Sequence, residues 1–161
     1  MADSPSPRAD LASDLLEIIP ELLRQLRAEV PQETDEEHSS PEWRDIIELG
    51  TTNGQFRLLR ILMQNERCTM QQLATQLHVT PPTATAMIKR LLTHGYVERL
   101  RDEEDWRMVW VQATERGKRA LTLYDHIRHT SLQRRLAHLS AEELANLQAA
   151  LPVFRHLIEV K

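Results

Sequence analysis

Five helix-start signatures punctuate this chain, and three of them fall within thirty residues, so that stretch folds only into short helices. Ser40-Pro41 sets a capping residue before a proline at a first helical position, opening a short helix through about Leu49. Thr52-Asn53-Gly54-Gln55 and Thr69-Met70-Gln71-Gln72 have the T-x-x-Q form of a capping box. Thr80-Pro81-Pro82 opens a helix to about His94, where Gly95 supplies a stop, and Ser140-Ala141-Glu142-Glu143 opens the last helix. Phe56, Leu59, Leu62 and Met63 share one face of the second of these helices, and Leu73, Ala74 and Leu77 form the buried side of the third. The period then changes. Tyr96–Leu100 and Met108–Val111 are β-prone runs flanking an acidic stretch, which reads as a hairpin with a loop of about five to seven residues.

The flanks are helical and strongly apolar on one side. Residues 1–9 are rich in Pro, Ser and Asp and read as disordered. From Asp10, the positions Leu11, Leu15, Ile18, Leu22 and Leu26 alternate spacings of four and three, with Ile19 and Leu23 widening the stripe. Pro20 predicts a kink or a restart. Residues 31–40 are an acidic linker. A long helix is expected from Thr114 to about Leu139, with Ala120, Leu121, Tyr124, Ile127, Leu132 and Leu136 inward. The last helix repeats the stripe at Leu144, Leu147, Leu151, Phe154 and Ile158. Four segments follow: 1–9; helices and linker over 10–50; 51–113; and helices over 114–161.

Composition narrows the function. Cys68 is the one cysteine, so no intramolecular disulfide forms, and a reducing, cytoplasmic setting is expected. Charged residues interrupt every apolar run, and the N-terminus lacks the basic start and apolar core of a signal peptide, so neither a membrane partner nor secretion is expected. None of the four glycines stands in a G-x-G-x-x-G or G-x-x-x-x-G-K loop. There is no G-x-S-x-G, no H-E-x-x-H and no cysteine with a catalytic partner, so an enzyme is not expected and no cofactor is implied. The net charge of −4 hides an uneven distribution. Residues 1–50 carry a net of −9, residues 51–112 a net of +2 and residues 113–161 a net of +3. Four of the six acids in the middle block are the consecutive Asp102-Glu103-Glu104-Asp105; the rest of that block has a net of +6.

Two short helices joined by Leu77-His78-Val79 and followed by a β-hairpin form a winged helix-turn-helix pattern. A helix read into the major groove needs small and polar residues at its N-terminal end. Thr80, Pro82, Thr83, Ala84, Thr85 and Ala86 supply them, with Met87, Ile88, Leu91 and Leu92 packing the helix onto the domain. Lys89 and Arg90 follow one turn later, where cations pair with phosphates.

With those stretches in view, residues from about Thr52 to Gly117 resemble the MarR family of bacterial winged-helix transcription regulators. The resemblance is carried by Gln55-Phe56-Arg57-Leu58-Leu59, Leu73-Ala74, Thr80-Pro81 with Thr85, Arg90-Leu91 and His94–Arg99. It is most distinctive in Asp102–Arg107 followed by Thr114-Glu115-Arg116-Gly117, which looks like the family's D-x-R wing with T-x-x-G downstream. Trp106 stands where the family often has a basic residue, Ala86 where a basic or polar side chain is common, and His78 where glycine is frequent. His78 is therefore expected in a left-handed conformation.

The resemblance implies a mainly α fold with a small hairpin wing, a winged helix-turn-helix plus a helical dimerisation region. It implies that Arg107 enters the minor groove from the wing, with Asp105 holding its guanidinium in a bidentate pair. Thr80, Pro82, Thr83, Thr85, Ala86, Lys89 and Arg90 face the major groove or its phosphates. Leu15, Leu22, Leu26, Leu144, Leu147, Leu151, Phe154 and Ile158 build a homodimer that binds double-stranded DNA at a pseudo-palindromic operator. The expected output is repression, released by a small-molecule effector at Trp43, Ile47, Phe56 and Arg60, with Trp43 the first candidate, since Ile46, Ile47 and Phe56 suit a core better.

Two other readings stay open. His126 and His129 are three apart with Asp125 adjacent, and His38 lies in the linker, a low-ranking set for a regulatory metal. The acidic wing tip and Ala86 suit a module that kept the fold for protein contacts without binding DNA. Cys68, with no cation placed to activate it, reads as structural.

Overall fold

The computed structural model describes residues 7–28, 41–50, 53–102, 105 and 107–160. The order is α1 (Pro7–Ala28), α2 (Pro41–Gly50), α3 (Asn53–Asn65), β1 (Arg67–Thr69), α4 (Met70–Leu77), α5 (Pro81–Thr93), β2 (Val97–Arg101), β3 (Val109–Ala113), α6 (Glu115–Leu136) and α7 (Ala141–Glu159). The chain divides into two compact units, one of residues 30–126 and one of residues 1–29 with 127–161.

In the first unit the capping chemistry works as the sequence reads. Thr69 accepts from the backbone N–H of Gln72, and the Gln72 side chain accepts from the backbone N–H of Thr69, closing a complete capping box on α4. Thr80 accepts from the Thr83 N–H and starts α5, with prolines in the first turn where no N–H is needed. Thr52 and Ser40 lie outside the described residues. His78 ends α4 in the left-handed region at φ 55°, its N–H bonded to carbonyls of Ala74 and Thr75. Gly95 closes α5 at φ 70°.

The apolar faces meet in one core. Ile46 and Leu49 of α2, Leu58, Leu59 and Leu62 of α3, Leu73 of α4, Ile88 and Leu91 of α5, Tyr96 and Val111 are all fully buried. Each such side chain contributes roughly 1.5–3 kcal/mol on leaving water. Met63, expected on the inner face, is 45% exposed; Phe56, Leu59 and Leu62 are buried as expected, and Leu58 and Ile61 are buried beside them.

The hairpin is antiparallel, pairing Val97 with Ala113 and Arg101 with Val109. A third strand, β1, pairs with the far edge of β3, setting Cys68 opposite Val111, so the sheet order is β1-β3-β2. Cys68 is buried, and burial pushes its thiol up from the ordinary range. This agrees with a structural residue.

The second unit departs from expectation in three places. The first helix starts at Pro7, so residues 7–9 are helical rather than disordered. It runs through Pro20 as one element with no restart. The helix α6 ends at Leu136, not Leu139, and its buried residue here is Ser131, whereas Leu132 is exposed. The last helix has a full capping box, Ser140 with Glu143, but none of its described side chains is buried.

Candidate nucleic-acid interface

The two faces of α5 separate cleanly. Ala84, Ile88 and Leu91 recur at four and three and are buried, fixing the helix to the core. Thr80, Pro82, Thr83, Thr85, Ala86, Lys89 and Arg90 are all exposed on the other side. Ala84, read as a small residue leaving room in a groove, is instead a core contact. The threonines are locally ordered. Thr80 Oγ1 lies 2.9 Å from Thr83 Oγ1, and the Thr85 hydroxyl donates to the Pro81 carbonyl at 2.9 Å. The bonded Thr85 hydroxyl keeps acceptor capacity for an outside partner. Behind α5, Arg57 of α3 donates to the Gln76 carbonyl at 3.1 Å and ties α4 into place.

Two aspartates order the described part of the wing tip. Asp102 accepts from the Trp110 indole N–H at 2.7 Å and from the Asp105 backbone N–H at 3.0 Å. Asp105 in turn accepts the backbone N–H of Arg107 through its carboxylate, and that of Met108 through its carbonyl. The expected pair is Asp105 with the Arg107 guanidinium; the contact seen here is to the Arg107 main chain, which sets the turn that carries the side chain. The Arg67 guanidinium lies 4.7 Å over the Trp110 ring, bracing the indole from β1. Arg99, Arg101 and Arg107 are exposed. Glu103, Glu104 and Trp106 lie outside the described residues.

The exposed polar side of α5 and the exposed arginines of the hairpin form the candidate surface, and comparison with known proteins bears on what it meets. The MarR family model matches residues 51–109. An organic hydroperoxide resistance transcriptional regulator of Bacillus subtilis is 34% identical over 64% of this chain and 69% of its own. The chain belongs to the MarR family. The relatives it matches are transcriptional regulators, several of them HTH-type, and not enzymes. Among solved structures, RV1404 of Mycobacterium tuberculosis superposes with a TM-score of 0.73 at 24% identity, covering 97% of both chains. A point mutant of MepR from S. aureus, bound to an oligodeoxyribonucleotide, gives 0.62 at 21% identity, covering 91% and 97%. NadR in complex with 4-hydroxyphenylacetate gives 0.61 at 21% identity, covering 99% of both.

The remaining candidates scatter. Trp43 and Ile47 of α2 are half-buried, but Phe56 is buried and its ring stacks on Tyr124 at 3.7 Å between centroids. Phe56 is thus core. Arg60 pairs with Asp125, so both the effector candidate and the metal candidate are engaged with each other. His126 and His129 are exposed, and His38 lies outside the described residues. Among the described residues, no three histidine, cysteine or acidic side chains converge on a metal position. Of the dimer set, Leu22, Leu144, Leu147, Leu151 and Ile158 are exposed and Leu15 and Phe154 half-exposed. Leu26 is buried within its own chain and is not surface. No described helix is long and apolar enough to cross a membrane.

Sequence reading missed a polar cluster beside the end of α5. Tyr96 is wholly buried, and its hydroxyl donates to Glu48 Oε2 at 2.6 Å with Asp45 Oδ1 also 3.1 Å away. Burial, then the bond to Glu48, pushes the phenol far above its ordinary range, so it stays a neutral donor. Arg116 donates to Asp45 through Nε at 3.0 Å and to the His94 carbonyl through Nη1 at 2.5 Å, and its guanidinium sits 4.5 Å over the Tyr96 ring. His94 Nδ1 meets Glu48 Oε1, and Arg90 donates to the Glu48 carbonyl at 3.3 Å. Arg90, His94, Tyr96 and Arg116 all stand in stretches that carry the family resemblance, but nothing local joins them to Asp45 and Glu48; Asp45 is 71 positions from Arg116.

Proposed function

We propose that this regulator is a homodimeric repressor whose two α5 helices enter successive major grooves of a pseudo-palindromic operator. The carrying observation is the division of α5 into a buried Ala84–Ile88–Leu91 side and an exposed side bearing Thr83, Thr85, Ala86, Lys89 and Arg90. The helix can approach bases without disturbing its core. In this reading Thr83 and Thr85 meet base edges or phosphates and Thr80 serves as a cap. Lys89 and Arg90 meet phosphates, and Arg107 reaches the minor groove from the wing that Asp105 shapes. A small-molecule effector, bound near the half-buried Trp43 and Ile47, shifts the population toward a spacing of the two helices that does not fit DNA. The NadR complex supports an effector of the aromatic-acid class.

The test is binding of the full chain to a fragment from upstream of its own coding region. Affinity should fall steeply as salt rises, since each neutralised phosphate releases counterions. Arg107→Ala should weaken binding by at least roughly tenfold while leaving the melting temperature unchanged. Unchanged affinity removes the wing assignment. A folded protein that binds no DNA at all favours the protein-contact module.

A further inference from the structure

The cluster around Tyr96 joins three elements at the point where α5 ends. Its carboxylates, Asp45 and Glu48, come from α2; Arg90 and His94 come from α5 and its C-cap; Arg116 comes from the first turn of α6. None of these bonds is within one element. Arg116 grips the His94 carbonyl and Asp45 together, Glu48 meets the His94 ring, and the Glu48 carbonyl receives Arg90. The end of α5 is therefore held to α2 by side chains, whereas its beginning is set by the Thr80 cap.

We propose that Glu48, His94 and Arg116 act as positioning residues for DNA binding: they fix the angle of α5 through its C-terminal end, and the charge on His94 sets how firmly. This rests on α5 being the helix that reads DNA. A helix anchored at both ends presents Thr83 and Thr85 in one orientation and spends less binding free energy on ordering.

Histidine is the side chain that changes charge in the physiological range. The groups around His94 divide as follows. Glu48 and Asp45 of α2 are acidic, Arg90 of α5 and Arg116 of α6 are basic, and the neutral Tyr96 ring lies 6.4 Å away. Glu48 is in direct contact with the ring nitrogen, whereas Arg116 bonds the His94 main-chain carbonyl. The charged ring makes an ion pair with Glu48, the neutral ring only a hydrogen bond. The grip is strongest in acid and weakens as pH rises.

The experiment measures affinity of the full-length protein for its own upstream DNA between about pH 6 and pH 8 at fixed salt. Wild type should lose roughly fivefold more affinity over that range than His94→Gln, which keeps a donor to Glu48 but no charge. Glu48→Gln should flatten the profile in the same way. His78→Gln, at the left-handed turn outside the cluster, should keep the wild-type slope. Arg116→Met should lower affinity at both ends of the range, and Arg116→Lys should restore part of it. Equal slopes for wild type and His94→Gln would overturn the proposal even where Arg107→Ala still weakens binding. Absence of DNA binding by the wild type overturns the reading of α5 itself, and the positioning roles fall with it.

Discussion

Gly117 shows what one residue can decide. Tyr96 presents its carbonyl to the start of α6, where it accepts the Thr114 N–H at 3.1 Å. The Thr114 hydroxyl donates to the Gly95 carbonyl at 2.7 Å and accepts the Gly117 N–H at 3.2 Å. This close fit leaves no room for a side chain: a Cβ on Gly117 would sit 2.1 Å from the Tyr96 carbonyl oxygen. Gly117→Ala should therefore destabilise the protein by about 2–3 kcal/mol, as overpacking against backbone does. Gly95 needs glycine for a different reason: its φ is 70° but nothing lies within 4 Å of an added Cβ. Gly95→Ala should cost only about 1 kcal/mol. Denaturant unfolding of the two variants checks the ranking, and an equal cost would contradict it. In the sequence, T-x-x-G was legible only as a resemblance. Its physical content, a threonine cap and a glycine pressed against a carbonyl, depends on Tyr96, twenty-one positions before Gly117, and no local pattern carries that.

At the scale of elements, capping chemistry was the readable part. Thr69 with Gln72, Thr80 and Ser140 with Glu143 all start the helices they were expected to start, because a cap is a contact over three residues. The strand β1 left little trace in the sequence: three residues are too few for an alternation, and its partner β3 is some forty positions on. The wing tip is a related case. Its acids read as a charged run, yet Asp102 bonds both Trp110 and the Asp105 main chain. Asp102→Asn turns one acceptor oxygen into a donor facing a donor. This should loosen the tip, lowering DNA affinity by roughly tenfold with a stability loss of only about 1 kcal/mol. Titration of DNA alongside thermal unfolding tests this; full affinity would mean that the tip does not depend on Asp102.

The whole molecule poses a question that the single chain leaves open in its second unit. The 19-residue α7 has a full capping box and buries none of its described side chains. Leu144, Leu147, Leu151, Leu157 and Ile158 are exposed, the last at 84%, and α1 exposes Leu11, Leu16, Ile18 and Ile19. A helix of this length without tertiary burial is marginal in water, and capping adds only about 1 kcal/mol. Apolar stripes on both helices, legible in the sequence as alternating spacings of three and four, are surface that a second copy of the chain can cover. The −9 charge of residues 1–50 is consistent with this division of labour, since those residues are not the DNA-facing block. If a second copy covers the stripes, stability depends on concentration by mass action. The melting temperature should rise with protein concentration, and sedimentation should give twice the 18.7 kDa chain mass. Leu147→Asp with Leu151→Asp should yield monomers in which α1 and α7 lose helicity while residues 53–113 keep theirs. Such monomers should also lose most operator affinity, because one α5 meets one half-site. A double variant that stays dimeric, or a monomer that binds the operator as tightly as wild type, would show that these stripes do not assemble the regulator.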